Sequence, residues 1–134
     1  MRAHLYASVG VLKIGNDILF NDEKIKVDRI TGHGGLFKTK GVGQRVLAAA
    51  INSPISVMET AGEGGAWGIA LLASYLVNNA TGQTLADFLD KQVFADNTGI
   101  EIAPTAEDVA GFNAYIKNYK AGLPIEEAAT KCKQ

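Results

Sequence analysis

Ile30-Thr31-Gly32-His33-Gly34-Gly35-Leu36-Phe37-Lys38-Thr39 is the stretch on which the fold is read. A β-branched run enters it and a long helical pattern leaves it. That is where α/β proteins set backbone amides against a ligand. Glycine belongs there because a Cβ would block close approach, and because turn angles at φ > 0 are open to it. A second stretch, Glu59-Thr60-Ala61-Gly62-Glu63-Gly64-Gly65-Ala66-Trp67-Gly68, repeats the arrangement one βα unit later.

Outward from these two turns, the chain alternates. Residues 2–20 carry Leu5, Val9, Leu12, Ile18 and Leu19 near helical spacing. No Ser, Thr, Asp or Asn precedes this helix to cap it, which is what a cut inside a larger protein would leave. Residues 25–30 alternate like a strand, and residues 41–51 read as a helix ended by Asn52-Ser53-Pro54. Ile55-Ser56-Val57-Met58 is a second short strand. Residues 65–78 are apolar almost all round, which predicts a buried helix with Trp67, Leu71 and Leu72 in the core. Helix–strand–helix–strand–helix implies parallel strands with a right-handed crossover, hence an α/β layer. Two strands make no stable sheet. Further strands must come from elsewhere, or a homodimer covers an edge.

Beyond residue 80 the pattern turns helical. Residues 84–89 open a short helix, and residues 94–104 read as irregular. Thr105 caps a helix whose stripe is Val109, Phe112, Tyr115, Ile116 and Tyr119, a packing face. Gly122-Leu123-Pro124 is read as a turn into a last helix at residues 125–131. The division is residues 1–80 as βα units and residues 81–134 as a helical extension packed on the same domain.

Bulk composition narrows the function classes. The 134 residues are 47% apolar and 20% charged with net charge −1. Thirteen Lys and Arg against fourteen Asp and Glu leave no basic block, which argues against nucleic acid as a partner. No apolar run reaches the ~18 residues of a membrane span. A single cysteine, Cys132, forms no internal disulfide and is read as incidental. A soluble cytoplasmic protein is the expectation.

In their joint order, these elements resemble the C-terminal part of the FGGY carbohydrate kinases. That family includes xylulokinase, ribulokinase, gluconate kinase and glycerol kinase, with the actin-like ATPase (ribonuclease H-like) fold. The resemblance rests on Thr31-Gly32-His33-Gly34-Gly35, Gln44 with Ala48-Ala49-Ala50, the Pro54–Val57 strand and the Gly64–Ala70 helix start. Phe112, Tyr115 and Tyr119-Lys120-Ala121-Gly122-Leu123 look like the tails of pentulose kinases. His33 departs from the usual Gly-Gly-Gly, and Leu36-Phe37-Lys38-Thr39 stands where small or polar residues are common.

The resemblance implies a partial actin-like domain from an ATP-dependent kinase acting on a pentulose of the xylulose or ribulose type. Gly34 and Gly35 would lie against the α-phosphate and ribose, with Leu36 beside them and Thr39 facing the adenine or ribose. The catalytic Asp, the Asp-x-Gly-Thr phosphate hairpin and the Mg²⁺ site would lie in the remainder of the kinase chain. No catalytic or metal residue is therefore assigned here, and the chain alone is expected to be inactive. Asp96-Asn97-Thr98-Gly99 has the wrong order for that hairpin and is read as an Asx turn. His33 is read as hydrogen-bonded to a nearby carbonyl, and Lys38 and Lys40 as solvated. Glu63 is read as a helix cap, and Gly64, Gly65 and Gly68 as helix-packing positions. The alternative function is a non-catalytic nucleotide-binding or assembly module of the actin-like ATPase superfamily.

Overall fold

A computed structural model describes residues 1–79, 82–95 and 99–132. Its elements run α1 (Arg2–Asp17), β1 (Ile30–Gly32), α2 (Val42–Ile51), β2 (Ile55–Val57), α3 (Gly64–Asn78), α4 (Leu85–Phe88), β3 (Ile100–Ile102) and α5 (Ala106–Lys131). A π-helical turn, Ile18–Asp22, extends α1.

The sheet is mixed and has three strands in the order β1-β2-β3. β1 and β2 are parallel, with Ile30 opposite Ile55 and Gly32 opposite Val57. β3 runs antiparallel on the other edge of β2, with Ile102 opposite Ile55. The fold is thus α/β as expected, with two differences. Strand pairing begins only at Ile30, so residues 25–29 lie outside β1. A third strand also comes from the stretch read as irregular, so β2 gains its second neighbour from within the chain.

α2 is the hub. Its capping residue Gly41 has φ +75°, and its last turn closes on Asn52 in the left-handed conformation, one that Asn tolerates. Leu47, Ala48, Ala49 and Ala50 are buried together with Val9, Ile55, Phe112 and Ile116. Three successive alanines keep the helix surface thin where α1, α5 and the sheet converge on it. From α5, Phe112 and Tyr115 meet Tyr6 of α1 at ring separations of 5.0 and 5.3 Å. The aromatic stripe therefore packs, as its spacing predicts.

Thr105 caps α5, accepting the Asp108 N–H at 3.1 Å. Arg45 of α2 grips the Asp108 carboxylate with both ends of its guanidinium, Nε to Oδ2 at 2.5 Å and Nη2 to Oδ1 at 3.0 Å. Chiefly through the Arg45 hydrogen bond, with Thr105 adding to it, the Asp108 carboxyl is held below its ordinary value. A depressed carboxyl stabilises the fold above the unfolded carboxylate range and loses that contribution as pH falls through the folded value. Asp108→Asn will therefore flatten part of the acid limb. Urea midpoints of wild type and variant should converge as pH drops below ~4, and a constant gap across the titration would refute the assignment.

Two expectations about helices are corrected. α3 carries no charge across its length, yet no residue in it is buried. Ile69, Leu76 and Val77 are 72, 78 and 83% exposed. Trp67 and Leu72 are exposed as well, so they are not core, and Leu71 is only half-buried. An apolar composition marks a surface that water disfavours, but the described residues supply nothing to cover it. In α5, Pro124 lies inside one continuous helix, and no turn separates residues 125–131.

Candidate functional site

The first glycine turn begins where β1 ends. Gly34 sits at φ +102° with an extended ψ, a conformation closed to L side chains. Its N–H is not free, because it donates to the Ala61 carbonyl of the second turn at 2.7 Å. Gly35–Phe37 form a single 3₁₀ turn, closed by Phe37 N–H to Gly34 O at 3.0 Å and Lys38 N–H to Gly35 O at 3.2 Å. Among the described residues, no backbone acceptor pairs with the Gly35 or Leu36 amide. Nothing lies within 4 Å of the side-chain direction at either Gly34 or Gly35.

Leu36 has a second duty. Its side chain packs against the core, and its carbonyl and Cγ lie against the bare backbone of Gly43 in α2. The Phe37 ring folds back over Gly32 and fills the space a side chain there would need. The turn is thus wedged between α2 and β1, with its amide face left open.

Beside it lies a cavity of about 420 Å³, within the range of small-molecule sites. Phe37, Thr39, Gln44, Val57, Glu59 and Ile100 are among its walls. Lys38 and Lys40 stand at the same opening. Of the four residues assigned to the nucleotide from sequence, Thr39 lines this cavity, while Gly34, Gly35 and Leu36 do not. The structure therefore gives two adjoining features, an apolar cavity with Thr39 and an open amide turn.

Gln44 binds the cavity together. It is buried, and its Nε2 donates to Ile55 O and Ile100 O, both at 2.6 Å. One amide thus satisfies carbonyls on β2 and β3 and holds β3 at the cavity wall. The sequence signal was a polar residue on the inward face of an apolar helix. Such a residue is buried only with partners.

Four readings at the two turns change. Glu63 makes no capping hydrogen bond at the start of α3, and pairs instead with Lys38 at 2.6 Å. Lys38 is accordingly not a simple solvated lysine. Among the described residues nothing lies within 4 Å of a Cβ at Gly65 or Gly68, so neither packs against a helix there, whereas Gly64 lies under the His33 ring. The His33 ring packs over Gly64, and among the described residues it donates to no carbonyl. Asp96, Asn97 and Thr98 of the Asx-turn reading lie outside the described residues.

Among the described residues no group of three or more His, Cys, Asp and Glu side chains could hold a metal. No helix among them is long and apolar enough to cross a membrane.

Comparison with known proteins assigns this arrangement of turns, helices and strands. The model of the FGGY family of carbohydrate kinases, C-terminal domain, matches residues 1–77. The chain belongs to that family. No curated protein and no solved structure matches it. The match takes in β1, α2, β2 and nearly all of α3, and with them both glycine turns. The three-stranded α/β layer is consistent with part of the FGGY C-terminal domain. β3 and α5 lie beyond the matched stretch, so Ile100 and Ile102 reach the cavity from outside it.

Proposed function

We propose that this chain supplies part of the nucleotide site of an ATP-dependent sugar kinase of the FGGY family, one acting on a hydroxyl of a pentulose such as xylulose or ribulose. The observation that carries the reading is the open amide face at Gly35 and Leu36, set at the end of β1 and beside an apolar cavity. Phosphoryl transfer asks a protein for positioning and charge stabilisation more than for covalent chemistry. On this reading the Gly34–Gly35 backbone lies along the α-phosphate and ribose, and the Leu36 amide donates beside it. The Thr39 hydroxyl meets the ribose or base, and Phe37 and Val57 give the base an apolar bed. ATP with Mg²⁺ supplies the transferable phosphoryl group. The catalytic base, the phosphate hairpin and the groups that hold Mg²⁺ belong on this reading to the remainder of a longer kinase chain. The 134 residues by themselves bind a nucleotide weakly and transfer nothing, and the whole enzyme works in the cytoplasm.

Gly35→Val tests the site without testing the fold. Position 35 has open space around it and no left-handed backbone, so valine is accommodated. Its branched side chain nevertheless stands over the amide face. By NMR titration, the wild-type chain should bind ADP with Kd of about 1 mM, and the variant should lose at least about tenfold in affinity, or 1.4 kcal/mol. Its thermal midpoint should stay within about 3 °C of wild type. Unchanged ADP binding in a folded Gly35→Val chain would overturn the assignment.

A further inference from the structure

The two glycine turns are dovetailed. Four consecutive residues of the second turn each receive one feature of the first. Ala61 O accepts the Gly34 N–H at 2.7 Å. Gly62 lies under the Lys38 stem, where an added Cβ would come within 3.0 Å of Lys38 Cγ. Glu63 Oε1 takes the Lys38 ammonium at 2.6 Å. Gly64 lies under the His33 ring, with Nδ1 3.3 Å from where a Cβ would be. The glycines of the second turn are thus beds for side chains of the first, and the Lys38 stem runs over Gly62 beside the cavity that Lys38 helps to line.

We propose that Glu63 sets the charge which that opening presents to phosphate, by occupying Lys38. Lys38, Lys40 and Glu59 all line the cavity, and Glu63 stands behind Lys38. With the pair closed, the positive charge of Lys38 is cancelled where an anionic ligand arrives. The pair is solvent-exposed on both sides, with side chains 57 and 74% accessible. Such pairs contribute little to stability and exchange partners at small cost. Its effect therefore falls on ligand charge rather than on folding. Glu63 acts as a positioning residue through Lys38, disfavouring phosphate-bearing ligands relative to the bare nucleoside. The inference rests on the nucleotide reading above for its ligand, but only on the cavity opening for its charge.

The test titrates the 134-residue chain with ADP, adenosine and inorganic pyrophosphate, at low and at physiological ionic strength. Glu63→Gln keeps the side-chain shape and frees Lys38. At low salt it should tighten ADP and pyrophosphate by about three- to fivefold and leave adenosine unchanged. Added salt should shrink the gain. Lys38→Gln should weaken ADP and pyrophosphate, and the double variant should return both to within about twofold of wild type, as a charge-balanced pair requires. Tightening of pyrophosphate without any adenosine or ADP binding would uphold the role of Glu63 and refute the nucleotide reading. Equal changes for adenosine and ADP, or no tightening of pyrophosphate in Glu63→Gln, would overturn the proposal.

Discussion

Gly43→Ala will destabilise this protein by about 2 kcal/mol or more, although alanine is the better helix former. In an ordinary helix the exchange gains up to about 1 kcal/mol. Here the new methyl would enter the space held by the Leu36 carbonyl and come within 2.7 Å of Leu36 Cγ. A carbonyl in a wedged 3₁₀ turn has little room to retreat. The relief available is to push the Gly35–Leu36 segment away from α2, which moves the open amides as well. ADP affinity should therefore fall together with stability. Gly68→Ala is the control, because it sits in α3 with nothing within 4 Å and should stabilise. Urea denaturation of both variants measures the contrast. If Gly43→Ala stabilises as Gly68→Ala does, α2 does not lie against the turn.

Gln44→Leu has an effect of the same order by a different route. Leucine fills a similar volume but donates nothing, so Ile55 O and Ile100 O lose the amide that both depend on. An orphaned buried acceptor costs about 1–3 kcal/mol. Ile55 is fully buried and takes that cost, whereas Ile100 is 60% exposed and its carbonyl is met by water, so the loss is about 1–3 kcal/mol in all. The loss is also local. β3 pairs with β2 over only three residues, so its backbone should exchange hydrogen fastest once the clip is gone. Hydrogen exchange at residues 100–102 and the urea midpoint together read the result. A variant as stable as wild type, with β3 equally protected, would show that the strand is held by its ladder alone.

The legible parts of the chain were those written in local chemistry. Asn52-Ser53-Pro54 stops α2, Thr105 starts α5, and the apolar spacing of Phe112 and Ile116 reports a buried face. β3 was not legible, because Ile-Glu-Ile is too short for a period and its partner lies 45 residues back at Ser56. The same distance hid the cavity, whose far wall is Ile100 and Ile102. α3 misled for another reason. Hydrophobicity states what a helix would gain from burial, and cannot state whether a neighbour is present. Pro124 misled because a ring inside a helix costs one hydrogen bond and a steric adjustment, which α5 absorbs near its exposed end. At the site, the glycine turn at Gly34 and Gly35 was visible as a turn, and of the four residues the resemblance implied, Thr39 lines the cavity. The pairing of Lys38 with Glu63 was not, since it depends on how two separate turns meet.

That meeting of turns has a consequence for how the sequence can drift. His33 and Gly64, like Lys38 and Gly62, are in close contact, so a change at one member of a pair is felt by the other. A methyl at 64 asks the His33 ring to give by a few tenths of an ångström, and a methyl at 62 asks the same of the Lys38 stem. Inheritance should treat residues 33–38 and 61–64 as a single word, spelled in two places and revised together.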